Sequence, residues 1–275
     1  MKGTDFMRFG GPAVKKSSNA EEWVANMQEM GYTACIFPLE HDDPIEKIDA
    51  YKNAAHAADI LIAEVGVWNN PLTSDPAEKK EALRVAKKQL ELADYINANC
   101  CVNIAGSKGK TWDGPHKDNY SKACFDEIVA DMQDIVDSVK PTNTYYTLET
   151  MPWAYPYDAD SCLALIKAVN RERFAAHLDV ANIINSPYKY YHNADVTREC
   201  FEKLGPYIKS CHGKDVIMTN DLLVHISETN PGMGEFDFEV LIECLRKLDN
   251  VPLIMEHMRE PDEIKAAAVY LRKFL

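Results

Sequence analysis

Apolar residues cluster in eight short runs, separated by longer segments where apolar positions recur with a helical period. The runs fall at residues 6–9, 34–38, 60–67, 101–105, 145–149, 174–180, 207–212 and 253–257. They are apolar at odd and even positions alike. That pattern suits parallel strands covered on both faces better than an antiparallel sheet with one wet face. Between them, Asn19 reads as a helix N-cap with Glu22 three residues on. Trp23, Met27 and Met30 follow on one face, and Gly31 ends the helix. Asp75-Pro76-Ala77-Glu78 is a second helix start, with a capping acid, Pro at the first helical position and Glu two residues further. Leu83, Ala86, Leu90 and Ala93 form its apolar stripe, and Phe238, Leu241, Ile242 and Leu245 form another. Residues 263–274 read as a closing helix.

Eight strands alternating with helices predict an α/β protein, a single-domain (β/α)8 TIM barrel spanning residues 1–275. One such barrel needs about 250 residues. The chain has no G-x-G-x-x-G and no G-x-x-x-x-G-K-[ST], which removes the usual signals of open nucleotide-binding sheets. The longest connections, 69–76, 106–121 and 214–237, follow the third, fourth and seventh strands. In a barrel they would cover the C-terminal face, where active sites are built.

A net charge of −13 argues against a phosphate-backbone ligand and against an anionic membrane surface. No apolar stretch approaches the roughly 18 residues of a membrane span. The start, Met1-Lys2-Gly3-Thr4-Asp5, lacks the basic-then-apolar pattern of an export signal. Eight cysteines without a C-x-x-C pair read as free core thiols in a reducing, cytoplasmic setting.

The last four strands each end on a metal-ligand type: Glu149, Asp179, His212 and Glu256. Buried carboxylates need a partner, and three together repel unless a cation neutralises them. Three oxygen donors and one imidazole suit one divalent ion, Mn²⁺ first, with Mg²⁺, Co²⁺ or Zn²⁺ also accommodated. The absence of a cysteine ligand speaks against structural zinc.

The series T-L-E-T, H-L-D-V-A-N, C-H-G-K-D, P-G-M-G-E-F-D-F and I-M-E-H resembles the xylose-isomerase-like barrel superfamily of sugar isomerases and epimerases. In metal motif it is most similar to ketose 3-epimerases. The resemblance implies that Glu149, Asp179, His212 and Glu256 hold one divalent metal, and that Glu149 and Glu256 also act as the acid–base pair. A metal bridging a carbonyl and a neighbouring hydroxyl stabilises an enediolate, and two carboxylates then remove and return a proton. The pattern departs at Tyr155, Asn182 and Met218, where 3-epimerases carry a Glu, a His and an Arg that grip substrate hydroxyls. The metal residues match and the substrate shell does not.

Candidate substrate contacts each carry a structural alternative. Asn182 binds substrate or a metal-bound water, or is a turn residue; Lys214 stabilises an enediolate or pairs with a carboxylate. Trp68 and Trp153 are sugar-stacking walls or packing residues, and Asn103 is a buried amide that needs partners. His116 and His225 are lid histidines or solvated loop residues, and Asp215 begins a loop. The glycines of Pro231-Gly232-Met233-Gly234 pass close to the site or make a turn, and Glu40-His41-Asp42-Asp43 is a cation site or a solvated acidic loop. The expectation is therefore a metal-dependent sugar isomerase or epimerase. It takes an unphosphorylated carbohydrate, has no nucleic-acid or membrane partner, and is compatible with a homo-oligomer. The rivals are a lyase or dehydratase on a keto-sugar, keto-glycoside or inosose and, more remotely, an endonuclease IV-like repair enzyme.

Overall fold

The computed structural model describes residues 7–275. Phe6, the start of the first expected strand, and residues 1–5 lie outside the described residues. Eight parallel strands form a nearly closed barrel: β1 (Phe9–Gly10), β2 (Ala34–Ile36), β3 (Leu61–Gly66), β4 (Cys100–Asn103), β5 (Tyr145–Glu149), β6 (Phe174–Leu178), β7 (Ile208–Gly213) and, last in the chain, β10 (Leu253–Met255). They pair in the order β1-β10-β7-β6-β5-β4-β3-β2. The seam between β1 and β2 is closed by the Thr33 amide donating to the Phe9 carbonyl at 2.8 Å, and by the Phe9 amide donating to Thr33 Oγ1 at 3.0 Å. Gly10 permits this close approach, because a Cβ there would lie 2.2 Å from the Ala34 carbonyl oxygen.

The strands of the far wall are buried on both faces, as the runs without alternation predict; every residue of β4 and of β6 is buried. Around them lie α1 (Ala20–Glu29), α2 (Ile45–Ala57), α3 (Pro76–Ile96), α4 (Lys122–Val139), α5 (Ala159–Val169), α6 (Pro187–Tyr191), α7 (Asn193–Leu204), α8 (Phe238–Leu245) and α9 (Pro261–Leu271). Asn19 caps α1 by accepting from the Glu22 amide, and Asp75 caps α3 by accepting from Ala77 and Glu78. Of the α3 stripe, Ala86, Leu90 and Ala93 are fully buried and Leu83 packs partly buried against the core; the whole α8 stripe is buried. The closing helix starts at Pro261, two residues before the expected boundary, because Pro fits the first turn.

Five of the expected strands, β2, β3, β4, β6 and β10, stop one or two residues early at their C-terminal ends. β6 stops at Leu178, and after Asp179 and Val180 a 3-10 turn follows over Ala181–Ile183. β10 stops at Met255, and His257 takes a left-handed φ of 66°. The connection after β7 is not an open loop. It holds an antiparallel hairpin, β8 (Asp215–Met218) and β9 (Ile226–Thr229). Asp215 organises that region: its carboxylate accepts from the amides of Gly232, Gly234 and Phe236. The glycines of this segment turn around Asp215. A Cβ on Gly234 would lie 2.3 Å from Asp215 Oδ1. All eight cysteines are buried and unpaired, and no described helix is long and apolar enough to cross a membrane.

Candidate metal centre

Parallel register brings four strand ends to one place. Glu149, the last residue of β5, lies in register with His177 of β6, and His212 of β7 with Ile254 of β10. Asp179 and Glu256 each stand one residue beyond their strands. Thr150 clamps the β5 and β6 ends together: its Oγ1 donates to the Asp179 carbonyl at 2.7 Å and accepts from the Asp179 amide at 3.0 Å.

Ligand-type atoms of Glu149, Asp179, His212 and Glu256 lie within 4.8 Å of one another. His212 Nδ1 stands 2.9 Å from Glu256 Oε1, 3.4 Å from Glu149 Oε1 and 3.7 Å from Asp179 Oδ2. Asp179 Oδ2, His212 Nδ1 and Glu256 Oε1 are buried, and their polar neighbours are one another and the Lys214 ammonium. Buried ligand-type atoms that converge in this way, carboxylate oxygens among them, fit a cation held between them. Donor chemistry agrees: three carboxylates and an imidazole ligate Mn²⁺ and Mg²⁺ readily.

Lys214 enters the same cluster. Two residues past His212, its ammonium lies 2.5 Å from Glu256 Oε1, 3.0 Å from Asp179 Oδ2 and 3.8 Å from Glu149 Oε1. Burial resists ionisation of Glu149, but His212 and Lys214 outweigh it and hold its carboxyl below the ordinary range. Burial likewise opposes the Asp179 carboxylate, and Lys214 and His212 hold it lower still. For His212, burial favours the neutral ring, yet Glu64 and Glu149 push its pKa well above the usual imidazole value.

Asn182 is part of the frame. Its Nδ2 donates to Glu149 Oε1 and to the Thr150 carbonyl, both at 3.0 Å, and its amide to Asp179 Oδ1 at 3.3 Å. A cleft of about 390 Å³ opens beside these groups, lined by Trp153, Asn182, Asn185, Lys214, Ile226 and Glu228 among others. The remaining candidates are not among its lining residues. Asn103 is tied to Asn69, accepting from its amide and donating to its Oδ1. The Nδ1 of His116 accepts from the Asp118 amide and caps the 3-10 turn over Lys117–Tyr120. Trp68 is 42% exposed, at a φ of 46°, with its indole folded against Gly66. The acidic segment after β2 is pinned rather than cation-binding: Gln89 donates to Glu40 and accepts from the His41 amide. His225 is exposed near the hairpin tip.

Sequence reasoning missed Glu64. This fully buried residue of β3 accepts from His177 Nε2 at 3.0 Å and from the Ser210 hydroxyl, and its Oε2 faces His212 Nε2 at 3.4 Å. Burial opposes its ionisation, but His177 and His212 outweigh that and hold it well below the usual carboxylate range. The signal was present as a lone acid inside an apolar strand.

A family model described as a xylose isomerase-like TIM barrel matches residues 24–274. A search of curated proteins with the sequence finds no match. Among solved structures, a probable 3-DHS dehydratase from Bacillus anthracis is 17% identical with a TM-score of 0.72, covering 97% of this chain and 99% of that one. A D-psicose 3-epimerase from Clostridium cellulolyticum is 13% identical with a TM-score of 0.71, covering 98% and 99%. Endonuclease IV from Thermus thermophilus is 15% identical with a TM-score of 0.71, covering 98% and 97%. At these identities the likeness is one of fold.

Proposed function

We propose that this chain, which belongs to the xylose isomerase-like TIM barrel family, is a divalent-metal-dependent sugar isomerase or epimerase that works by proton transfer. The observation that carries the reading is the convergence of Glu149, Asp179, His212 and Glu256, whose ligand-type atoms lie within 4.8 Å of one another. A bound divalent cation would supply Lewis acidity there, lowering the energy of negative charge that develops on a substrate oxygen. Mn²⁺ is the preferred ion for three carboxylates and one imidazole.

Glu149 and Glu256 reach the centre from different strands, β5 and the end of β10. One removes the proton next to the carbonyl and the other returns it. Return to the same carbon inverts it, and return to the neighbouring carbon moves the carbonyl. Asp179 stays a pure ligand, because the Thr150 clamp and the Asn182 amide leave it little freedom. Asn182 orients Glu149 by donating to Oε1. The Lys214 ammonium stabilises an oxyanion forming beside Glu256. In the cleft, Trp153 and Ile226 offer apolar contact, and Asn182 and Asn185 offer neutral hydrogen-bonding groups. Its one cation, Lys214, is already committed to carboxylates, which supports an unphosphorylated carbohydrate. Eight buried, unpaired cysteines support a reducing, cytoplasmic setting.

A second reading rests on the same lysine. An ammonium 2.5 Å from Glu256 Oε1 could protonate a departing hydroxide, which would make the enzyme a lyase on a keto-sugar or inosose. The test is a screen of Mn²⁺-loaded protein against aldoses, ketoses, keto-glycosides and inososes in deuterated water. Isomerisation keeps the substrate's composition apart from deuterium gained, whereas dehydration loses water. Glu149→Gln and Glu256→Gln should each lower turnover by about 10²–10⁴-fold. Unchanged activity in both variants sinks the assigned roles.

A further inference from the structure

We infer that Glu64 is the positioning residue of this centre: its carboxylate fixes the His212 ring so that Nδ1, not Nε2, serves the three acids. The inference rests on the metal reading above. An imidazole has two nitrogens, and a neutral ring ligates through one only while the other carries the proton. His212 Nδ1 faces Glu256, Glu149 and Asp179, and its Nε2 faces Glu64 Oε2 at 3.4 Å. Glu64 comes from β3, across the barrel from β7, so no local constraint of the His212 strand places it there. It is held in turn by His177 Nε2 and by the Ser210 hydroxyl on its other oxygen. His177 also packs edge-on against His212, with centroids 4.1 Å apart and planes at 73°. The His212 ring therefore has one flank and one end fixed, with its other nitrogen aimed at the acids.

Glu64, His177 and His212 could themselves be taken for a second cation site, since ligand-type atoms of these three also lie within 4.8 Å of one another. Hydrogen bonding argues otherwise. Both Glu64 oxygens and the Nε2 atoms of both histidines already have partners within this group. On the Nδ1 side of His212 three carboxylates converge on one ring, an excess of negative charge that a cation offsets, whereas the other group sets one carboxylate against two histidines. A carboxylate on the outer nitrogen of a ligating histidine fixes the tautomer and raises ligand basicity.

The experiment uses full-length metal-free protein, titrated with Mn²⁺ by calorimetry, and Glu64→Gln, which keeps the side-chain shape and removes the charge. The variant should stay folded by circular dichroism and bind one Mn²⁺ per chain about 10–100-fold more weakly than wild type. A purely structural role would instead lower the melting temperature and leave the affinity of the folded fraction unchanged, and that overturns the proposal. So does a wild type that binds two ions per chain and a variant that binds one, because Glu64 would then be a ligand. Glu64→Asp, which draws the carboxylate back by one methylene, gives the same test should the Gln variant not fold. A further check needs no variant. In wild type labelled with ¹⁵N-histidine and loaded with Zn²⁺, His212 should show a protonated Nε2 and a metal-shifted Nδ1; the reverse overturns the assignment. A wild type that binds no divalent ion defeats the metal reading itself. One-ion binding indifferent to Glu64 defeats this inference alone.

Discussion

Replacing Lys214 with Met separates the two things that cations do in this centre. Lys214 is 5% exposed, and its ammonium sits within 3.0 Å of both Asp179 and Glu256. Removing one partner of such a buried ion pair leaves charge uncompensated, at a cost of about 3–5 kcal/mol. At roughly 2 °C per kcal/mol for a chain of this size, metal-free Lys214→Met should melt about 6–10 °C below wild type. Added Mn²⁺ should act in the opposite sense. Two unit positive charges about 4 Å apart repel by about 4 kcal/mol at an effective dielectric constant of 20, and a divalent ion doubles that. In wild type the ammonium has a further carboxylate within reach, Glu228, whose Oε2 lies 3.9 Å away, and we expect it to shift there when the ion binds. The variant has nothing to move, so we expect its Mn²⁺ affinity to rise by about tenfold, or about 1.4 kcal/mol. Turnover should fall by about 10²–10³-fold, as when one donor to a developing oxyanion is removed. Melting by calorimetry with chelator and with saturating Mn²⁺, an Mn²⁺ titration and a rate measurement together read all three signs. A metal-free variant as stable as wild type, or one that binds Mn²⁺ more weakly, refutes the reasoning. Lys214 would then belong to the frame that holds the metal rather than compete with it.

The remaining expectations are narrower. Because its acidic neighbours overcome burial and raise the His212 pKa, metal-free His212 carries a proton at neutral pH and must release it to ligate. Metal affinity should therefore climb with pH by about tenfold per unit below the folded pKa of His212 and level off above it; calorimetry in buffers of different ionisation enthalpy counts the released proton, and an affinity flat across about pH 6–8 contradicts the assignment. Gly10→Ala places a Cβ 2.2 Å from the Ala34 carbonyl oxygen at the barrel seam, so it should cost about 1–3 kcal/mol and lower the melting temperature by several degrees, whereas an unshifted melt would mean that the seam opens freely.

The barrel was legible because parallel strands buried on both faces leave a crude mark: short apolar runs without alternation, spaced by amphipathic segments. Tyr145–Glu149 matches the expected boundaries, since Thr144 before it and Thr150 after it end the apolar run. The boundary misses have local causes. At β6 the chain turns at Asp179 to form a 3-10 segment, and at the end of β10 His257 takes a left-handed conformation; neither leaves a mark in hydrophobicity. The β8–β9 hairpin went unread because its tip, Leu222, Leu223 and Val224, is apolar yet exposed, against the usual turn composition. Of the candidate substrate residues, Asn182, Lys214 and Trp153 come to the cleft. Asn103 lies in β4 as expected, and His116 and Trp68 sit in the connections after β4 and β3, but Asn103 and His116 are engaged with backbone and neighbouring side chains there. Loop position can be read from spacing. The direction of a side chain within a loop cannot.

Glu64 shows why strand ends were easier to read than strand middles. A strand end that carries an acid or histidine faces the mouth of a barrel, so chemistry is its first explanation. An acid in mid-strand looks like an interruption of the core, and its partners, His177 and Ser210, lie 113 and 146 residues away in sequence. Yet the mid-strand group is what gives the strand-end histidine its direction. A barrel interior filled only with aliphatic layers would pack well and leave His212 free to present either nitrogen. Here Glu64, His177 and Ser210 give up apolar packing, and a buried charged group of this kind rarely adds stability by itself. With both of its oxygens engaged, the Glu64 carboxylate adds orientation instead. Glu64 holds one nitrogen of His212 and the three acids surround the other, so the barrel places its interior polarity around one ring and points that ring at the acids.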